Sequence, residues 1–154
     1  MAVKEELEIT GTLRDERNSG DENVRETGVM SESKGEAVAV MGASPKPDRY
    51  AYRAMEMLKQ YGHRPIPVNP AFEEILGETC YARIADAPGR IDTVTMYLGK
   101  QRSDPLIPEI LAAKPKRIIM NPGAENAELA QQAEVAGIEV VEGCTLVMLQ
   151  TGAF

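Results

Sequence analysis

The chain has no tryptophan, two phenylalanines, one histidine and two cysteines among its 154 residues. Cys80 and Cys144 make neither a disulfide framework nor a metal quartet. Free thiols in a reducing compartment are therefore expected, with the cytoplasm as the default address. The single histidine, His63, leaves no Ser-His-Asp or Cys-His set at a defensible spacing. It follows Gly62 at the end of a helical pattern, where an imidazole more often faces the helix dipole or solvent than performs chemistry. No apolar run is long enough to span a bilayer. The acidic, mixed N-terminus reads neither as a secretory signal nor as an Arg-rich transit peptide. Positive charge is scarce as well. The net charge of −7 argues against nucleic acid as the main partner, because nothing offsets repulsion from its phosphates.

The charge is unevenly spread. Residues 1–35 hold nine acidic and five basic side chains and few large apolar ones. Such a segment cannot bury enough surface to offset its ordering entropy, and it is expected to be a mobile acidic extension, with Met30 a conceivable alternative start. Residues 36–154 form the domain proper, long enough for one sizeable core.

The domain is organised around Ala37 to Arg49. Ala37 to Met41 is a run of small and β-branched apolar residues, as in a strand covered on both faces. Gly42-Ala43-Ser44-Pro45-Lys46-Pro47 is a tight small-residue loop in which Gly42 and Ser44 admit close approach of a ligand. A helix follows from about Arg49 to Tyr61, ended by Gly62. Its first N–H groups and its dipole suit a phosphate, and Lys46, Arg49 and Arg53 add positive charge there against Asp48 alone. Tyr50, Ala54, Met57, Leu58 and Tyr61 fall at helical spacing as its buried stripe. Tyr52 is placed to stack on a base.

Strand two is predicted over Pro65 to Val68, a small helix near Tyr81 to Ala85, and strand three over Thr93 to Leu98. Asp104-Pro105 reads as a helix N-cap with proline at the first helical position, with Leu106, Ile107, Ile110 and Leu111 turned inward. Strand four covers Arg117 to Met120. A helix with a small-residue face (Ala127, Ala130, Ala133, Ala136) then ends at Gly137. Strand five covers Ile138 to Val141, and Thr145 to Leu149 form a short closing helix. Alternating strands and helices specify an α/β, Rossmann-like, doubly wound parallel five-stranded sheet, with order 3-2-1-4-5 expected. Ligands in such sheets lie beyond the carboxyl ends of the strands where the order reverses. That places Gly42, Ala43, Ser44, Pro45, Lys46 and Arg49 with Val68, Asn69 and Pro70, Tyr97 and Leu98, and Asn121, Pro122 and Gly123.

A dinucleotide fingerprint would read G-x-G-x-x-G with an acid at the end of strand two. Here the loop has one glycine, and strand two ends in Val68-Asn69-Pro70. No acid is present there to grip a free ribose diol, which suits a nucleotide with an extra ribose phosphate. NADP and coenzyme A both meet that condition. A Walker loop is excluded, since no G-x-x-x-x-G-K-[ST] occurs.

Gly42-Ala43-Ser44-Pro45-Lys46-Pro47-Asp48-Arg49 and, across one βαβ unit, Pro65-Ile66-Pro67-Val68-Asn69-Pro70 resemble the small stand-alone CoA-binding domain family. Its members are similar to the N-terminal domain of the succinyl-CoA synthetase α subunit. Ile75-Leu76-Gly77-Glu78, Tyr81, Ala85-Asp86, Ile91-Asp92 and Val140-Val141-Glu142-Gly143-Cys144 extend the likeness over roughly residues 36–150. The resemblance implies coenzyme A as cofactor. Its ADP portion would lie over Gly42 to Pro45, with Lys46 and Arg49 near phosphate, Asn69 and Pro70 along the adenosine, and the end of strand three facing pantetheine or ribose. The chain departs from the family where it has Tyr97-Leu98-Gly99-Lys100 after strand three and Met120-Asn121-Pro122-Gly123 after strand four.

The synthetase works through a phosphorylated histidine in a second domain, which has no counterpart here. Two functional classes therefore stand. One is a non-catalytic module that binds coenzyme A or an acyl-CoA as carrier, sensor or partner subunit. The other is a CoA- or NADP-dependent enzyme. The missing acid–base machinery favours the module. No catalytic or metal-binding residue is assigned, and the expected partner is a small nucleotide cofactor rather than nucleic acid or membrane, with a homo-oligomer or a partner enzyme left open.

Overall fold

The computed structural model describes residues 35–154. The expected extension, Gly35 aside, lies outside them. Five parallel strands form the main sheet: β1 (Ala37–Met41), β2 (Arg64–Val68), β5 (Thr93–Met96), β6 (Arg117–Met120) and β7 (Glu139–Glu142). A two-stranded antiparallel ribbon, β3 (Glu74–Ile75) and β4 (Glu78–Thr79), interrupts the crossover from β2 to β5. The helices are α1 (Tyr50–Gln60), α2 (Lys100–Ser103), α3 (Ile107–Ala112), α4 (Ala127–Val135) and α5 (Thr145–Thr151), with 3-10 turns at Ile84–Asp86 and Asp104–Leu106.

The side-chain alternation of β1 divides the core in two. Ala37, Ala39 and Met41 face a cluster built with Ile107 and Ile110 of α3 and Leu129 and Ala133 of α4. Val38 and Val40 face the other, built with Ala51, Met55 and Leu58 of α1 and Leu149 of α5. Both faces of the sheet are thus covered, as the apolar character of β1 requires.

The Rossmann-like fold is as the sequence indicates, but the strand order is β2-β1-β5-β6-β7. The third long strand, β5, pairs with β1 and not outside β2, so the expected order 3-2-1-4-5 is corrected. Proline chemistry explains it. Arg64 donates its N–H to Glu36 O, and Val68 O accepts from Gly42 N–H, so these residues of β2 face β1. Pro65 and Pro67 alternate with them and face outward. Neither has an N–H to offer a further strand, so β2 is an edge. The reversal of order, expected between strands one and four, falls between β1 and β5. The loop after β5 therefore lies directly beside the loop after β1.

Four local expectations also change. Tyr50 and Tyr61 are exposed, and the buried stripe of α1 is Ala51, Ala54, Met55 and Leu58. Asp104 is not the N-cap of a helix: it follows α2 as its C-cap residue, opens a 3-10 turn and accepts from Lys100 Nζ (2.8 Å) and Asn126 Nδ2 (2.9 Å). The region around Tyr81 to Ala85 holds only the 3-10 turn. On α4, Leu129 and Ala133 are buried, whereas Ala127 and Ala136 are exposed.

Candidate functional site

The carboxyl ends of β1, β2, β5 and β6 converge on one edge of the sheet. At its centre Gly42 adopts φ +85°. A Cβ there would stand 2.8 Å from Leu98 Cδ2 and 3.1 Å from Tyr97 O. Glycine is needed both for the turn and for the loop after β5 to pack against it. Leu98 fills the place a Cβ would take, while Gly42 still lines two of the cavities on this edge.

Asn69 ties two loops together. Its Nδ2 donates to Ala43 O (2.8 Å), and its Oδ1 accepts from Ala71 N–H (2.9 Å). Ser44 Oγ accepts from Lys46 N–H (3.1 Å), which shapes the turn and leaves the hydroxyl hydrogen available. Arg49 is the N-cap residue of α1 in extended conformation. No side chain caps that helix and its first turn holds no acid. An uncapped end beside an exposed lysine and arginine is favourable to an anion.

Asn121 lines a cavity on this edge and also braces the fold. It is buried, with Nδ2 donating to Thr95 Oγ1 (2.7 Å) and Met96 O (2.8 Å) and Oδ1 accepting from Thr145 N–H (2.8 Å). Its polar atoms join β5, β6 and the start of α5, while Pro122 and Gly123 remain exposed. The Tyr97 hydroxyl lies buried near Thr95 and Thr145 without meeting either in hydrogen-bond geometry, and burial pushes its pKa up to about 12 against the opposing influence of those hydroxyls.

Three cavities run along this edge. The first, about 410 Å³, is walled by Met41, Gly42, Val68, Asn69 and Pro70. Its far side is made by Arg83, Ile84, Arg102, Leu106 and Glu109. The second, about 230 Å³, lies over the head of α1 between Gly42, Ser44, Arg49 and Pro122-Gly123. The third, also about 230 Å³, shares Tyr50, Tyr97 and Pro122 with the second and ends at Cys144 and Leu146. The phosphate-favouring groups are therefore flanked on both sides by cavities that share residues with theirs. Tyr52 lines none of the three, whereas Tyr50 lines two.

Arg83, Arg102 and Glu109 escaped the sequence reading. Arg83 precedes a 3-10 turn, and Glu109 lies 26 residues later on α3, so only the folded chain brings them together. Of the cysteines, Cys80 is buried and donates to Asn69 O (3.5 Å), and burial raises its pKa, which leaves it a structural thiol. His63 is also structural: its Nδ1 accepts from Glu36 N–H (3.0 Å), and its ring packs on Phe154. Among the described residues no three His, Cys, Asp or Glu side chains stand together as metal ligands, and no helix is long and apolar enough to cross a membrane.

A family profile described as "CoA binding domain" matches residues 36–150. The uncharacterized protein YneT of Bacillus subtilis is 27% identical over 104 residues, covering 68% of this chain and 77% of that protein. The α subunit of an ADP-forming acetate–CoA ligase II of Pyrococcus furiosus is 34% identical over 65 residues, which is 42% of this chain but 14% of that subunit. A crystal structure of an uncharacterized protein superimposes with TM-score 0.74 at 45% identity, over 78% of this chain and 98% of its own.

Proposed function

Since the chain belongs to the CoA-binding domain family, we propose that it binds coenzyme A or an acyl-CoA through the ADP portion, as a module without catalysis of its own. One observation supports this above the others: the uncapped head of α1, where Ser44 and Arg49 line a cavity, shares residues with two further cavities. A diphosphate at that head leaves a nucleoside for the larger cavity and a narrow, mostly apolar path past Tyr50, Pro122 and Leu146 for pantetheine. The residues present fit the cofactor. When bound, it supplies the thiol that carries acyl groups. The chain's own part is to hold the anion by N–H groups, a hydroxyl and two cations, and to shield the rest from water. Likeness to a segment of an acetate–CoA ligase subunit supports coenzyme A over NADP. Its unpaired Cys80 and Cys144 are consistent with a reducing cytoplasm as the setting.

Calorimetric titration with coenzyme A, NADP and NAD tests the reading. Coenzyme A should bind with a clear preference, and Arg49→Glu should weaken it on the order of tenfold by setting a carboxylate against the diphosphate. Unchanged affinity in the variant, or a preference for NAD, reverses the assignment.

A further inference from the structure

The third cavity, which ends at Cys144 and Leu146, differs from the other two in charge. Arg83 and Arg102 line the first and Arg49 the second, but among the described residues no Lys, Arg or His side chain lines the third. The polar groups on its walls are already engaged. Asn121 Nδ2 donates to both Thr95 Oγ1 and Met96 O, and Asn121 Oδ1 accepts the Thr145 N–H that opens α5. The Tyr97 hydroxyl is buried. The charges nearby are acidic. Glu125 Oε1 accepts from Gly123 N–H (3.0 Å), which holds a carboxylate on the loop after β6, beside Pro122 of the cavity wall. Glu142 is exposed two residues before Cys144. A carboxylate entering this cavity would leave water without meeting a cation, and the dipole of the short helix α5 offsets only part of that loss.

We propose that this cavity selects the acyl group carried on the cofactor's thiol, accepting uncharged acyl groups and rejecting those that end in a second, ionised carboxylate. The proposal rests on the coenzyme A reading and names the acyl class taken at the same site. No bond forms or breaks; the walls select by desolvation alone. A methyl-ended chain gains from burial against Tyr50, Pro122 and Leu146. A carboxylate-ended chain of the same length gives up its hydration to those same walls and finds no donor there to replace it. The cations of the site stand in the other two cavities, where phosphates and not the acyl end require them.

The test titrates the full chain with coenzyme A, butyryl-CoA and succinyl-CoA. The two acyl chains differ only in a terminal methyl against a terminal carboxylate. Butyryl-CoA should bind within about threefold of coenzyme A, and succinyl-CoA roughly tenfold or more weaker than butyryl-CoA. The monomethyl ester of succinyl-CoA removes the charge while adding bulk, and it should recover most of the loss. Leu146→Lys sets a cation on the wall and should bring succinyl-CoA to within about twofold of butyryl-CoA. The ester decides the matter if that variant does not fold. Equal affinity of the wild type for butyryl- and succinyl-CoA, an ester as weak as succinyl-CoA, or undiminished rejection by a folded Leu146→Lys variant overturns the acyl selection and leaves coenzyme A binding in place. Failure of the wild type to bind coenzyme A overturns the proposed function as well.

Discussion

His63 shows how a lone titratable residue is explained by what it touches. Its Nδ1 accepts the Glu36 N–H at the start of β1, a bond that only the neutral tautomer protonated at Nε2 can make. Burial lowers its pKa from the ordinary 6.5. The Glu36 carboxylate opposes that shift and Arg117 reinforces it. The sign follows from linkage. The unfolded chain takes up the proton at higher pH than the folded one, so stability is level above the ordinary value and falls as pH drops below it. Thermal melts between pH 7.5 and about 5.5 should show Tm declining on the acid side, with the decline flattened in His63→Gln. A wild-type Tm that rises on acidification through that window contradicts this role. The sequence placed His63 at a helix end but did not show that residue 36 returns to meet it, since that contact spans 27 residues.

Among the elements, the junction of β5, β6 and α5 depends on a side chain that also lines a cavity. Asn121 closes three hydrogen bonds there, beside a Thr95–Thr145 hydroxyl pair 2.8 Å apart. Asn121→Ala leaves Met96 O and Thr145 N–H without a partner in the core. It should destabilise the domain by about 2–4 kcal/mol in chemical denaturation. A loss under about 0.5 kcal/mol would show that water or repacking replaces these bonds. An asparagine in a strand-end loop looks the same in sequence whether it faces a ligand or a neighbouring strand, and only partner geometry separates the two. The stripe of α1 was ambiguous for a related reason. Tyr50, Ala54, Met57, Leu58 and Tyr61 and, one step round, Ala51, Ala54, Met55 and Leu58 both satisfy helical spacing. The sheet selects the second because small residues let α1 lie close on Val38 and Val40. The edge position of β2, by contrast, was written in the sequence: prolines at 65 and 67 fall at the period of one strand edge.

The two ends of the sheet differ in what their side chains do. At the amino ends of the strands, Arg117 pairs with Glu36 (3.3 Å), stacks on Phe154 and donates to its carbonyl, fastening the last residue to the sheet. At the carboxyl ends, loops carry cavities and largely exposed charge. The strand–loop–helix from Ala37 to Gln60 and the parallel sheet were legible because each follows from local apolar patterning and turn chemistry. The far wall of the larger cavity was not legible, because Arg83, Arg102 and Glu109 come from three separate segments with no shared motif. The central claim is that the head of α1 holds the diphosphate of coenzyme A, and a crystal structure grown with that cofactor tests it most directly. The account predicts density for the diphosphate over Gly42 to Arg49, with the nucleoside in the larger cavity. Density for the cofactor elsewhere on the molecule, with the head of α1 bare, would contradict it.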